Sequence, residues 1–151
     1  MRTDGTVIDA IRRHAAETYP EECCGFLLGT PSPAGNEVCA ISPAENHQER
    51  NRDRSYAITP DAYRSAELAA RRDGFEIVGF YHSHPDHPAV PSETDLSEAT
   101  FPGYTYAIQS VRNGRPLDLT VWSLTPDRSE FQQERLEITE PLHNPATPHT
   151  S

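Results

Sequence analysis

Residues 82–95 read HSHPDHPAVPSETD, and this stretch carries the most information about fold and chemistry. His82 and His84 lie at the end of a predicted strand, residues 76–83, which is rich in β-branched and aromatic residues. Side chains two apart on a strand point to the same side, so both imidazoles face one way. Two neighbouring imidazoles with a common orientation suit a single metal ion.

Asp95 follows the two histidines across a proline-rich loop. Ser92 begins a predicted helix over residues 92–100, which puts Asp95 on its first turn, where the carboxylate can return as a third ligand. Two histidines and one carboxylate leave a fourth tetrahedral position open to water, as in catalytic zinc sites. We therefore predict that His82, His84 and Asp95 bind one Zn²⁺ ion per chain.

A zinc hydrolase also needs a group that moves protons. Glu22 is the candidate general base, because it stands just before a short apolar run that predicts a buried strand; the adjacent Glu21 is the alternative. Ser92 is predicted to assist catalysis by donating a hydrogen bond to the developing oxyanion. The segment Ser92-Glu93-Thr94-Asp95 is also typical of a helix capping box, and the two roles are compatible.

Outside this stretch, the chain reads as alternating helices and strands. Amphipathic spacing predicts a helix over residues 6–18 that ends before Pro20, and Thr59-Pro60 opens a second helix. Asn113-Gly114 predicts a hairpin. Further strands are predicted over residues 24–29, 37–41, 104–111, 117–124 and 131–138.

The composition excludes several classes of function. The 151 residues include 13 basic and 23 acidic side chains, a net charge of −10, so no general basic surface is available for nucleic acid. No apolar run approaches the roughly 20 residues that span a bilayer, no signal-peptide pattern is present, and three cysteines make a poor disulfide framework. We predict a cytoplasmic protein without nucleic-acid or membrane partners, with one folded domain over residues 1–140 and a disordered tail over residues 141–151.

Several other residues with chemical potential are interpreted more simply. His14, His47, His143 and His149 have no matched partner and are predicted to lie at the surface. Cys24 lies in an apolar strand, where burial raises the pKa of a thiol, so we expect it to be unreactive.

The pattern His82-x-His84-Pro85-x(6)-Ser92-x-x-Asp95 resembles the complete signature of the JAMM (MPN+) metalloproteases. An upstream segment, Pro20-x-Glu22-x-Cys24-Gly25-x-Leu27-Leu28-Gly29, is similar to the one that carries the catalytic glutamate of that family, which favours Glu22 over Glu21 as the base. The resemblance covers roughly residues 5–138. It implies an α/β (α+β) fold in which a curved mixed β-sheet is flanked by helices, in the cytidine-deaminase-like style.

The same resemblance implies a zinc-dependent peptidase or isopeptidase that acts at the C-terminus of ubiquitin-like proteins. The short chain looks most like small stand-alone bacterial members, which resemble enzymes that trim residues after the Gly-Gly end of sulfur-carrier proteins. The expected partner is therefore the C-terminal tail of a ubiquitin-like or sulfur-carrier protein, laid beside an edge strand. The alternatives are a zinc hydrolase of small or cell-wall peptides and a non-catalytic interaction module, and the oligomeric state is left open.

Overall fold

The computed structural model describes residues 1–139, and the predicted tail over residues 141–151 lies outside the described residues. Eight strands and three helices are formed within residues 1–139. In chain order they are β1 (Arg2–Asp4), α1 (Gly5–Thr18), β2 (Cys24–Thr30), β3 (Glu37–Ala44), α2 (Pro60–Arg72), β4 (Glu76–Pro85), α3 (Glu93–Glu98), β5 (Thr105–Arg112), β6 (Arg115–Leu124), β7 (Phe131–Glu134) and β8 (Glu137–Thr139). The strands form one mixed sheet in the order β7-β6-β5-β4-β2-β3-β1-β8.

The two long helices cover opposite faces of the sheet. Ile11 of α1 belongs to the same buried cluster as Leu27 of β2, whereas Ala70 of α2 packs in a second cluster with Phe26 and Leu28. Neighbouring residues of β2 therefore face different helices, as the alternation of a strand requires. The apolar run in β2 is continuous because both faces of that strand are covered. The predicted α/β fold with flanking helices is confirmed.

The centre of the sheet positions the candidate site. Strand β4 pairs antiparallel with β2, with Cys24 opposite His82, and pairs parallel with β5 on its other side. The end of β4 that carries His82 and His84 therefore lies beside the start of β2, directly after Glu22. Strand β4 runs two residues beyond the predicted end at residue 83, so both histidines lie within the strand.

The prediction of a single edge strand over residues 131–138 is wrong. Strands β7 and β8 lie at opposite edges of the sheet although only two residues separate them, so the sheet curls until its edges approach one another. Between β7 and β8 the chain passes from one edge of the sheet to the other. Two hydrogen bonds hold it there: the amino group of Met1 donates to the carbonyl of Arg135, and the N–H of Glu137 donates to the carbonyl of Met1. Strand β1, which completes this edge, is short and was not expected from the sequence.

The turns and helix ends follow the sequence signals. Asp4 and Thr59 cap α1 and α2 with their side-chain oxygens, and the hairpin at Asn113-Gly114 has the positive φ angles, 51° and 81°, of a tight β-turn. Helix α3 is shorter than the predicted residues 92–100. None of the helices within residues 1–139 has the length and apolar content needed to cross a membrane.

Candidate metal centre

The predicted ligands converge where β4 ends and α3 begins. The Nε2 atoms of His82 and His84 are 3.1 Å apart, and the two carboxylate oxygens of Asp95 lie 3.2 Å and 3.0 Å from them. One ligand atom from each residue lies within 4.8 Å of the other two. Both imidazoles are buried and Asp95 is half-buried, so the three groups face a partly dehydrated space.

The arrangement fits a tetrahedral zinc ion. Bonds of about 2.0–2.1 Å in tetrahedral geometry place neighbouring ligand atoms roughly 3.3 Å apart, close to the separations observed here. The Nδ1 atom of His84 is 2.8 Å from the carbonyl of Pro88, which can only accept a hydrogen bond. Nδ1 therefore carries a hydrogen, and Nε2 is the ring nitrogen of His84 that faces Asp95 and His82. Electron-rich atoms this close repel one another unless a cation or a proton lies between them.

The protonation states also suit metal binding. Burial lowers the pKa of His82, although its hydrogen bond to Asp95 opposes this, so the ring favours its neutral form. Burial raises the pKa of Asp95, but hydrogen bonds from His82 and His84 outweigh it and leave the pKa below its usual range. The Tyr56 ring stacks on His82, with centroids 4.7 Å apart, and closes one side of the site.

Ser92 forms the capping box that its sequence context indicates. Its Oγ accepts a hydrogen bond from the Asp95 N–H at 3.0 Å, while Asp95 Oδ2 accepts one from the Ser92 N–H at 2.9 Å. The cap fixes the carboxylate that faces the histidines. Because Ser92 Oγ acts only as an acceptor in this pair, its O–H remains available to donate elsewhere.

Glu22 is buried, with 2% of its surface exposed, whereas Glu21 is exposed. Its Oε1 atom has no hydrogen-bond partner among the described residues. Burial raises the pKa of Glu22 to about 9, and the negative charges of Asp95, Asp53 and Glu98 contribute. A divalent cation at the ligands would oppose these charge effects and favour the carboxylate.

The backbone of Glu22 is held by the loop over residues 46–57. Its N–H donates to the carbonyl of Arg52 at 2.6 Å. The side-chain amide of Asn46 forms four hydrogen bonds of 3.0–3.2 Å that link the loop to Glu22. Its Nδ2 donates to the carbonyls of Glu22 and Ser55. Its Oδ1 accepts from the N–H groups of Gln48 and Ala57. Every hydrogen-bonding position of this amide is therefore used.

Ser83 joins the segment after Glu22 to β4. Its Oγ accepts from the Cys23 N–H at 2.8 Å, and its own N–H donates to the Cys23 carbonyl at 3.1 Å. Ser83, Asn46 and the stacked Tyr56 were not identified from the sequence. The position of Ser83 between two candidate ligands was a usable signal, but the partners of Asn46 lie up to 24 residues away and leave no spacing pattern.

The remaining sequence predictions have mixed outcomes. Burial raises the pKa of Cys24 to about 12, as expected for an unreactive thiol. The prediction that His14 lacks a partner at the surface is wrong, because it is half-buried and its Nδ1 lies 2.7 Å from the Tyr81 hydroxyl. His47 is exposed as predicted. The predictions for His143 and His149 lie outside the described residues.

Known proteins resemble this chain along most of its length. A family model described as prokaryotic homologs of the JAB domain matches residues 5–125. The chain is 37% identical over 105 residues to the desampylase of Haloferax volcanii, covering 70% of this chain and 73% of that protein. It is 34% identical over 114 residues to the CysO-cysteine peptidase of Mycobacterium tuberculosis, covering 71% and 70%.

A solved structure gives the same result for the fold. The solution structure of a protein from Salinibacter ruber is 52% identical, with a TM-score of 0.74, and the match covers 98% of this chain and 95% of that one. The resemblance predicted from the histidine, serine and aspartate spacing is thereby confirmed. The chain belongs to the family of prokaryotic homologs of the JAB domain.

Proposed function

We propose that this protein is a zinc metallopeptidase that hydrolyses the peptide or isopeptide bond after the C-terminal Gly-Gly of a ubiquitin-like or sulfur-carrier protein. The observation that carries the proposal is the convergence of His82, His84 and Asp95, whose ligand atoms lie within 4.8 Å of one another. The buried Glu22 carboxyl, which interacts with Asp95, adds a candidate base. The names of the desampylase and the CysO-cysteine peptidase support this class of substrate.

The chemistry divides between the ion and the side chains. A Zn²⁺ ion bound by the three ligands would polarise the scissile carbonyl and lower the pKa of water to about 7. Glu22 accepts the proton of the attacking water as the new C–O bond forms. It then donates that proton to the nitrogen as the C–N bond breaks, which releases the amine and leaves a carboxylic acid that ionises to the carboxylate by losing its proton to solvent.

The hydroxyl of Ser92 and the surroundings of Glu22 support these steps. Ser92 donates its free O–H to the carbonyl oxygen as negative charge develops there. Oε1 of Glu22, which has no partner among residues 1–139, is available for the proton that it transfers. Burial disfavours the charged form of Glu22, so the transfer of a proton to its carboxylate costs little free energy.

The test uses purified protein and two substrate formats. We expect close to one zinc per chain by elemental analysis, and cleavage of a folded carrier protein extended beyond Gly-Gly, detected by intact-mass spectrometry. An isolated tail peptide of the same sequence should be cleaved more slowly, because it lacks the folded surface. Equal rates on both would favour a hydrolase of small peptides, and absence of zinc and of turnover would favour a non-catalytic module. The cytoplasmic location stays a prediction.

A further inference from the structure

The loop over residues 86–91 orients one of the candidate ligands. The carbonyl oxygen of Pro88 accepts a hydrogen bond from Nδ1 of His84 at 2.8 Å, and it accepts another from the Val90 N–H at 2.9 Å. A partner on the far nitrogen of a ligating histidine fixes the orientation of its ring. The position of the Pro88 carbonyl therefore sets the direction in which Nε2 of His84 points.

The same loop is anchored to β5 and β6 on both sides of Pro88. On the far side, the hydroxyl of Thr120 in β6 donates to the carbonyl of Ala89 at 2.6 Å. On the near side, the N–H of Asp86 donates to the carbonyl of Val111 in β5 at 2.6 Å. Pro88 lies within two residues of either anchor, so a shift at one of them passes directly to its carbonyl.

Asp86 is the more unusual of these two anchors. Its φ angle is 57°, in the left-handed region that costs energy for most residues other than glycine. Its carboxylate also binds two other segments: Oδ1 accepts from the Asn113 N–H at 3.0 Å, and Oδ2 accepts from the Tyr19 hydroxyl at 2.6 Å. Glycine would adopt the backbone angle more readily but would lose both of these hydrogen bonds. The carboxylate is therefore what distinguishes aspartate from glycine at this position.

The hydrogen bond between Tyr19 and Asp86 connects the base side of the site to the ligand side. Tyr19 stands three residues before Glu22, Asp86 stands two residues after His84, and the bond spans 67 residues of sequence. A hydrogen bond of this kind contributes only about 0.5–1.5 kcal/mol to stability. Its removal should therefore leave the fold intact, so that a local effect on the site can be measured.

We propose that Asp86 is a positioning residue that acts on His84 through the carbonyl of Pro88. Its hydrogen bonds to Asn113 and Tyr19 hold the loop in the conformation that orients the His84 ring for metal binding. The proposal rests on the proposed function, because it takes zinc to be the ion that the ring binds. The hydrogen bond between His84 and Pro88 needs no ion, however, so it can be tested separately from zinc binding.

The first measurement is NMR of the histidine rings in metal-free protein. An Nδ1–H that is held in a hydrogen bond exchanges slowly with water and gives its own proton–nitrogen correlation, which we expect for His84 and assign with His84→Gln. Asp86→Gly removes both carboxylate hydrogen bonds without straining the backbone, so this Nδ1–H should exchange about tenfold faster. Asp86→Asn keeps an acceptor for Asn113 and a partner for Tyr19, so it should retain the signal.

The second measurement is zinc affinity, determined by competition with a chelator. Asp86→Gly should raise the Kd for zinc about tenfold, as loss of an outer partner of a ligand does. Tyr19→Phe removes one of the two bonds and should raise the Kd less. The matched control is Asp127→Gly, because Asp127 is also an exposed aspartate that accepts hydrogen bonds, but only from Thr125 and Ser129 in its own turn. This control should change neither the His84 signal nor the Kd.

The outcomes separate this proposal from the proposed function. A His84 signal that is absent from wild-type protein, unchanged in Asp86→Gly or equally weakened in Asp127→Gly overturns the role of Asp86, even if the protein is an active zinc peptidase. A weakened signal with unchanged zinc affinity overturns it as well. If no form of the protein binds zinc, the proposed function fails, whereas a signal weakened only by Asp86→Gly and Tyr19→Phe still supports the positioning of the ring by Asp86.

Discussion

The proposed metal ligands all come from one short stretch of the chain, residues 82–95, whereas the base side of the site, Glu22 with the loop over residues 46–57, is assembled from segments far apart in the sequence. On the ligand side, the end of β4 presents two histidines and the cap of α3 presents Asp95. On the base side, the hydrogen bond from Asn46 to Glu22 crosses 24 residues, and the hydrogen bond between Cys23 and Ser83 crosses 60.

The two sides also differ in how their charges are satisfied. Asp95 accepts hydrogen bonds from both histidines and from the Ser92 N–H, and its pKa is low. Glu22 is buried, Oε1 lacks a partner within residues 1–139, and its pKa is about 9. Unsatisfied buried groups reduce stability and are retained where function needs them. The comparison therefore assigns the greater cost in stability to Glu22, the proposed proton-transfer group.

Replacing Glu22 tests that assignment most severely. In zinc-loaded protein, Glu22→Gln keeps the shape of the side chain but cannot accept the proton of water, so turnover should fall by about 10²–10⁴. Zinc content should not change, because the three ligands remain in place. Elemental analysis and initial rates on a Gly-Gly-extended carrier measure the two effects. A variant that keeps wild-type turnover would remove Glu22 from the mechanism.

Glu22→Gln should also change how the stability of the metal-free protein depends on pH. The pKa of Glu22 in the folded protein exceeds its ordinary value of 4.5, so the metal-free folded state keeps a proton that the unfolded chain releases between about pH 4.5 and pH 9. The free energy of unfolding of the metal-free protein should fall across this window, by an amount on the order of a few kcal/mol. Glu22→Gln should lack this fall. Urea unfolding at pH 5 and pH 8.5 measures this change. An equal change in the free energy of unfolding for the wild-type protein and for Glu22→Gln would contradict the prediction.

The contrast between the two sides explains what the sequence could predict. The placement of His82, His84 and Asp95 needs only a strand of period two, a loop and a helix cap, and these signals are local. The hydrogen bonds of Asn46 depend on tertiary contacts, which the spacing of residues in the sequence does not reveal. The split of residues 131–138 into β7 and β8 was missed for the same reason, since the curl of the sheet decides it.

Two substitutions of Ser92 separate its role as a helix cap from its proposed role in catalysis. Glycine caps a helix almost as well as serine, whereas alanine costs about 1 kcal/mol. If the Ser92 hydroxyl also stabilises the oxyanion, Ser92→Gly and Ser92→Ala should both lower kcat by about 10²-fold, whereas only Ser92→Ala should lower the free energy of unfolding appreciably. Steady-state kinetics and urea unfolding separate the two effects. Full turnover in Ser92→Gly would leave capping as the whole role.

Asn46 gives the smallest expected effect and the most specific probe of the base side. Asn46→Ala removes the four side-chain hydrogen bonds that Asn46 makes to the loop and to the Glu22 carbonyl, so we expect about a tenfold loss of kcat and a loss of about 1–3 kcal/mol in stability. The matched control is Gln48→Ala, because Asn46 contacts only the backbone N–H of Gln48.

The expected signature of Asn46→Ala is confined to the base side. Zinc content should be retained, since no ligand contacts Asn46, and the pH dependence of kcat should shift as the surroundings of Glu22 change. Loss of zinc together with loss of activity would instead mean that the loop supports the ligands, through the ring of Tyr56 stacked on His82. The two sides of the site would then form one cooperative unit, and the distinction between a locally built ligand set and a remotely held base would fail.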